Sequence, residues 1–199
     1  MMLIEDTQVP EAALPLDAFK AHLRMGTGFA EDNLQDAVLA SFLRAALAAV
    51  EARTGKALIA RGFSWTLTRW RVLDSEVLPL APVSAIDGVT LIDRFGVETP
   101  LDTGDFSLLE DAQRPRVCAV VGAMPSIASG GKTVITFTAG YAADWDGLPN
   151  DLAQAVLLLA AHYYEYRDET SLARGCMPFG VQSLLERYRP VRLFSGDAS

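Results

Sequence analysis

The sequence predicts an α+β fold: an α-helical core of about four helices, with a small antiparallel β-sheet or barrel-like module inserted between helices 2 and 3. Apolar residues recur at helical spacing over residues 15–56 and again over 148–169. Between them, residues 57–141 carry short alternating or β-branched runs separated by turn signals. Half of the 199 residues are hydrophobic, which is ample for a buried core. We therefore expect a flexible arm over 1–14 and a single domain over 15–199.

The N-terminal region predicts an arm followed by a short helix. Residues 1–14 show no sustained hydrophobic period, so we expect this arm to be poorly ordered. From residue 16 to residue 25 the apolar side chains lie at helical spacing, with Asp17 in the first turn. Glycines at 26 and 28 then end the helix.

A long second helix is predicted over 31–54, with Gly55 as its C-terminal cap and Asp36 near its positive end. Its small and apolar residues form one stripe, at Leu34, Val38, Phe42, Ala45 and Ala49. Further apolar residues broaden that stripe, at Leu39, Leu43, Ala46, Leu47 and Val50. We expect such a helix to be covered on two sides, within the subunit or across a subunit boundary.

The middle of the chain predicts strands. The clearest runs lie at 63–70, 89–92 and 134–137. Turn signals fall between them, at Ala81-Pro82, Asp87-Gly88, Arg94-Phe95-Gly96 and Gly130-Gly131. Because no helical pattern separates the runs, an antiparallel arrangement is favoured over a Rossmann-like unit.

The last third predicts a helix, a hinge and a short amphipathic helix. Pro149 suits a first helical position, and Leu152, Val156, Leu159 and Tyr163 follow at helical spacing. Residues 170–179 have the composition of a hinge. The helix predicted at 181–188 stops before a proline, which disfavours helical geometry in the residue that precedes it.

Charge separates the C-terminal segment from the rest of the chain. Seventeen basic and twenty-five acidic residues give a net charge of -8, which argues against tight binding to nucleic-acid phosphates. Residues 170–196 carry four arginines and one glutamate, a local balance of +3. Two interpretations stay open: a solvated tail, or a tail that docks on an acidic partner surface.

Cysteine usage and hydropathy predict a reduced, cytoplasmic setting. Cys118 and Cys176 are far apart and form no CxxC motif, so a disulfide framework is not expected. The N-terminus lacks a basic segment followed by a long apolar one, and no run is long enough to span a membrane.

No set of residues indicates a catalytic, metal or cofactor site. Gly130-Gly131-Lys132-Thr133 lacks the first glycine of a phosphate loop and leads into a predicted strand, so it is interpreted as a hairpin turn. The only histidines, His22 and His162, fall on different predicted helices, and His162 with Glu165 is too small a set for a metal. A small hydrolase using Asp144 or Asp146 remains an alternative, against an exposed loop with Trp145 as a lid.

Several short segments occur in a characteristic order along the chain. The carrying motif is Phe137-Thr138-Ala139-Gly140-Tyr141, followed by Leu148-Pro149 and its helix. The other segments lie at 50–58, 78–83, 86–89, 162–165, 178–181 and 188–189. In this order the chain resembles the phage head-tail connector family, close to the adaptors of prophages and gene transfer agents. The match runs over nearly the whole chain from Leu16, apart from a loop at 122–131 that aligns with no motif.

The resemblance implies a structural adaptor without enzymatic activity. It implies a ring, typically twelvefold, that sits beneath the portal protein, meets a tail-side connector or stopper and leaves a channel for DNA, for which an acidic chain is suitable. It implies assembly in the bacterial cytoplasm and a final location at the head-tail interface of a virion or virus-like particle. A tail terminator or stopper of the same particle is the alternative.

The C-terminal segment 170–199 is the expected portal-binding arm, since aromatic and arginine side chains are frequent anchors at interfaces. The other possibility is that its helix folds back on its own domain. The candidate interface residues are Arg174, Met177, Phe179, Val181, Leu184, Leu185, Arg187, Tyr188, Arg189, Arg192, Leu193 and Phe194.

Overall fold

A computed structural model describes residues 1–25, 35–167 and 177–189. Within these residues the chain forms four α-helices and two antiparallel sheets, which confirms the predicted α+β class. The helices are α1 (Leu16–His22), α2 (Asp36–Thr54), α3 (Asn150–Glu165) and α4 (Phe179–Leu185). The strands are β1 (Met2–Glu5), β2 (Arg61–Leu67), β3 (Ser75–Val77), β4 (Val83–Ile92), β5 (Glu98–Leu101), β6 (Phe106–Leu109), β7 (Arg116–Ala119) and β8 (Lys132–Ala139). Among the helices described, none has the length and apolar character needed to cross a bilayer.

The two sheets share one hydrophobic core. The larger sheet has the strand order β1-β2-β8-β4-β5, and the smaller has the order β3-β7-β6. Trp65, Ile135 and Phe137 from the larger sheet pack in the same buried cluster as Val117 from the smaller one. Because the order of the larger sheet leaves β1 and β5 as its edges, that sheet is open.

The N-terminal segment differs from the flexible arm that the sequence predicts. Met2–Glu5 pairs antiparallel with β2, placing Leu3 opposite Trp65, and the pairing continues where Asp6 N–H donates to the Gly62 carbonyl at 3.0 Å. A strand of four residues has no hydrophobic period of its own, and its order comes from a partner strand far along the chain. Since β1 precedes α1, the segment between α2 and α3 does not supply the whole sheet.

Helix α2 buries a different face from the stripe predicted first. The residues expected only to broaden the stripe form the buried face, at Leu39, Leu43, Ala46, Leu47 and Val50. Val38 is 48% exposed and Ala45 is also exposed, while Leu34 and the predicted start of the helix lie outside the described residues. The predicted C-terminal cap is confirmed, because Gly55 is left-handed (φ 67°) and its N–H donates to the Glu51 carbonyl.

The predicted turns have different outcomes. The turn at Arg94-Phe95-Gly96 is confirmed between β4 and β5, where the Asp93 carboxylate accepts the N–H groups of Phe95 and Val97. Asp87-Gly88 is not a turn; it is a bulge inside β4, where the register against β8 shifts. A Cβ at Gly88 would lie 2.9 Å from the Thr136 hydroxyl oxygen, so a larger residue there would require the Thr136 side chain to move.

Arg61 links the helical part to the sheet. Its side chain is 6% exposed, and its guanidinium donates to Glu51 of α2 at 2.7 Å and to Glu5 of β1 at 2.8 Å. The Ile59 carbonyl accepts a further bond from it. A nearly buried cation is tolerated because its donors are paired on both sides.

Lys56 makes the second link, from the end of α2 to the turn between β6 and β7. Its side chain is buried, and its ammonium donates to the Ala112 carbonyl and to Gln113 Oε1. Burial lowers the pKa of Lys56, while the nearby carboxylate of Asp111 acts in the opposite direction. This contact fixes the smaller sheet to the C-terminal end of α2.

Candidate partner interface

The C-terminal interface predicted from the sequence starts on α3. As predicted, this helix follows Pro149 directly. It packs against α2 through its buried residues Leu152, Ala155, Val156, Leu159, Ala160 and Ala161. Helix α4 then packs on α3, in the same hydrophobic cluster.

Three of the predicted partner anchors are part of the subunit's own core. Val181 and Leu185 have no exposed surface, and Tyr188 is 6% exposed. They lie one helical turn apart on the face of α4 and the short 3-10 helix that follows it, and that face contacts α3. The amphipathic pattern predicted at 181–188 is therefore satisfied within the chain. In this structure these three side chains do not form an accessible docking surface.

Tyr188 is held by a polar network as well as by burial. Its hydroxyl donates to Asp151 Oδ1 at 2.7 Å and accepts a bond from Arg187 Nη2 at 2.7 Å. Arg187 Nε lies 3.0 Å from Asp151 Oδ2, and Tyr141 packs edge-on against the Tyr188 ring. Burial and the bond to Asp151 raise the pKa of Tyr188 to about 12. The network fastens the end of α4 to the first turn of α3.

The remaining described anchors divide by exposure. Phe179, the first residue of α4, is 86% exposed. The side chains of Arg187 and Arg189 are 71% and 46% exposed, whereas Met177 and Leu184 are half-buried against the helical core. The other predicted anchors lie outside the described residues; they are Arg174, Arg192, Leu193 and Phe194.

Sequence reasoning did not find two residues of this network, Asp151 and Tyr141. Asp151 resembles an ordinary acidic residue in the first turn of a helix, and Tyr141 belongs to a motif that precedes the helix. Both meet Tyr188 only in the folded chain, 37 residues after Asp151 in the case of the hydrogen bond. No spacing rule connects residues at such a separation.

The residues that the sequence analysis considered for catalysis or phosphate binding take part in turns and in core packing. Asp144 Oδ1 accepts the Gly147 N–H at 3.2 Å, which closes the turn before α3, and Trp145 packs against the helical core. Gly130 and Gly131 lie in a turn that enters β8, so the turn is confirmed. It is not the predicted hairpin, because the preceding strand β7 belongs to the other sheet and does not pair with β8. Over residues 1–25, 35–167 and 177–189, no three His, Cys, Asp or Glu side chains come together as metal ligands.

Three solved structures are similar to this chain over nearly its whole length. The neck of an empty gene transfer agent particle, computed with C6 symmetry, contains a chain that is 52% identical, with a TM-score of 0.88. A chain in the virion of a native gene transfer agent particle is 51% identical, with a TM-score of 0.85. A chain in the neck of a native particle computed with C12 symmetry is 49% identical, with a TM-score of 0.84. Each match covers 98% of this chain and 99% of the other. No protein-family model and no curated protein matches the chain.

Identity near one half over both full lengths defines a class of protein: a structural component of the neck of a phage-like particle. The chain belongs to the phage head-tail connector family, and within it lies close to the neck proteins of gene transfer agents. As a member of that family it is a protein of the virion or virus-like particle, which confirms the resemblance drawn from the motif order.

Proposed function

We propose that this protein is the adaptor of its particle: a ring of identical copies that binds the portal protein on the head side, meets a tail-side connector or stopper, and leaves an axial channel for DNA. The observation that carries the proposal is the 49% identity, over 98% of the chain, to a neck component in a particle computed with C12 symmetry. Symmetry of this kind fits a closed ring of copies.

The structure narrows the proposed portal-binding arm. Because α4 is packed into the subunit core, the candidate contacts among the described residues are the exposed side chains Phe179 and Arg189. Arg187 is also exposed, although it already pairs with Asp151 of its own subunit. Arg192, Leu193 and Phe194 follow in the sequence and extend the same basic and apolar character. We expect the arm to act from residue 189 onward, with Phe179 at its base.

The charge of the chain supports a channel through the ring. With a net charge of -8, the protein does not favour tight contact with DNA phosphates, and weak attraction allows DNA to pass. In the proposed ring, the helices form the body, and the strands between α2 and α3 face outward or toward the tail.

Deletion of residues 190–199 tests the proposal. This deletion removes none of the contacts described above, so we expect a folded subunit that no longer binds purified portal protein in a sedimentation assay. A matched variant with Arg192, Leu193 and Phe194 all changed to alanine should behave alike, while Leu73→Ala, on the sheet part, should retain binding. Full portal binding by the deletion variant would overturn the assignment.

The same assay, repeated with the tail-side neck protein, separates the adaptor from its alternative. An adaptor binds portal directly. Binding only to a tail-side protein, with none to portal, would assign the chain as a stopper or tail terminator instead.

A further inference from the structure

The edge strand β1 presents apolar side chains on both of its faces. Met2, Leu3 and Ile4 are 55%, 39% and 46% exposed, and no other described strand pairs with the outer edge of β1. Exposed apolar edges of this kind invite association, and proteins usually protect them with charge, proline or a covering element. Within β1, Met2, Leu3 and Ile4 carry neither charge nor proline, and the carboxylate of Glu5 at its end is paired with Arg61 of the same subunit.

The opposite edge of the same sheet is protected. Strand β5 carries Glu98 at its start and Pro100 within it, so its outer edge has a charge and lacks one N–H donor. The contrast between the two edges is informative, because both strands are four residues long and both are solvent-accessible. An edge that a partner covers in the assembled state needs no such protection.

A groove continues from β1 to the outer face of α2. It has a volume of about 440 Å³, and its apolar lining is Leu3, Ala48, Ala52, Ala57, Phe63 and Leu80. The charged groups at its base are already paired within the subunit: Arg61 with Glu5 and Glu51, and Lys56 with the β6–β7 turn. The groove therefore suits an apolar side chain better than a charged one.

The hairpin between β4 and β5 presents such a side chain on the other flank. Phe95 is 76% exposed and Val97 is 60% exposed. The turn is fixed, because Asp93 Oδ1 accepts the N–H of Phe95 at 2.8 Å and that of Val97 at 2.9 Å. Because the backbone of this turn is already fixed, it loses little conformational entropy on binding, and an exposed aromatic side chain on it is a typical interface anchor.

We infer that neighbouring copies of this chain join through these two flanks, with Phe95 of one copy seated in the groove between β1 and α2 of the next. A ring contact is heterologous, joining two different surfaces of identical subunits. In a twelvefold ring, adjacent copies differ by one twelfth of a turn, so the two surfaces must face nearly opposite directions. Strands β1 and β5 are the opposite edges of one sheet, so the groove and the hairpin lie on opposite sides of that sheet. The inference rests on the proposed ring but not on the identity of its head-side partner.

Incorporation into particles tests the contact. Leu3→Glu places a charge on one flank and Phe95→Glu on the other. Leu73→Glu is the matched control, because Leu73 is 77% exposed and belongs to neither flank. We expect the two flank variants to retain the melting temperature of the parent protein and to fall by about tenfold or more in copies per purified particle. The control should incorporate normally. Normal incorporation of both flank variants would overturn the inference.

If a charged variant fails to fold, cross-linking tests the contact between Phe95 of one copy and the groove of the next. Ala52→Cys and Phe95→Cys are combined in a chain in which Cys118 and Cys176 are changed to serine, and purified particles are treated with a short bismaleimide. We expect a ladder of dimers and larger multimers from the double variant, and monomers from each single variant. A double variant that stays monomeric in particles overturns the contact, whereas failure to bind isolated portal protein would overturn only the adaptor assignment.

Discussion

At the scale of single residues, the structure depends on a few buried polar groups that are fully engaged. Arg61, Lys56 and Tyr188 each bind a residue that is distant in the sequence. None of these roles is visible in the sequence, where a lysine or arginine beside a strand resembles any surface residue. The partners become known only when the chain folds, because each of the three has a partner at least 37 positions away.

Removal of the Arg61 guanidinium should be strongly destabilising. Arg61→Met leaves the carboxylate of Glu51, whose side chain is 13% exposed, without its main partner, so we expect a loss of about 3 kcal/mol in the free energy of unfolding. Urea denaturation followed by circular dichroism measures it. The exposed Arg189, paired with Glu186, is the control, and Arg189→Ala should change stability by less than about 1 kcal/mol. Equal effects of the two substitutions would refute the role given to Arg61.

Tyr188 should make stability depend on alkaline pH. Its pKa is about 12 in the folded protein and about 10 in an unfolded chain, so the hydroxyl keeps its proton better when folded. Its contribution is complete below about pH 10 and declines as the pH rises toward about 12. We expect Tyr188→Phe to be less stable by about 1 kcal/mol at neutral pH and to lose less stability between about pH 9 and pH 11. Parallel pH slopes for the two proteins, from urea titrations, would contradict this account.

At the scale of elements, the sequence predicted the helix ends that depend only on neighbouring residues. Gly55 ends α2 and Pro149 precedes α3 because backbone geometry favours these residues there. Choices that depend on distant partners were not predictable. The face of α2 that is buried is set by α3, and the four residues of β1 acquire their order from β2.

The candidate interface follows the same rule. An amphipathic helix at 181–188 is equally compatible with docking on a partner or on its own subunit, since both bury the same stripe. The sequence therefore predicted the helix and left its docking partner open. The structure places Val181 and Leu185 against the subunit's own helices, and it leaves Phe179 outside.

This division predicts separate effects for two residues of α4. Leu185→Ala should reduce the free energy of unfolding by about 3 kcal/mol, because it empties a fully buried site. Phe179→Ala should alter stability by less than about 0.5 kcal/mol, since its side chain is 86% exposed, and should weaken portal binding. Thermal unfolding and portal sedimentation are measured on the same preparations. A large stability loss for Phe179→Ala would place it in the core instead.

At the scale of the whole molecule, the helices and both sheets are fastened at several points. Arg61 joins α2 to the larger sheet, Lys56 joins it to the smaller one, and Tyr188 joins α4 to α3. A boundary drawn at residue 170 would separate α4 from the core to which it belongs.

Two truncations should therefore differ sharply. Removal of residues 175–199 deletes α4 and exposes the surface of α3 that it covers, so we expect a marked fall in melting temperature and a tendency to aggregate. Removal of 190–199 should leave the melting temperature within a few degrees of the parent value. Differential scanning calorimetry on both chains is the measurement, and similar melting temperatures would show that α4 contributes little to the core.

The strand order of the larger sheet also determines when its strands can pair during synthesis of the chain. Strands β2 and β4 both pair with β8 and not with each other, so Arg61–Leu67 and Val83–Ile92 leave the ribosome well before their common partner, Lys132–Ala139. Helix α2 likewise waits for α3 to cover it. Apolar surface stays open over most of the time in which the chain is being made, which is the condition under which nascent chains need chaperones. Closure of the fold is thus a late event, completed by the same C-terminal third that we propose to meet the portal.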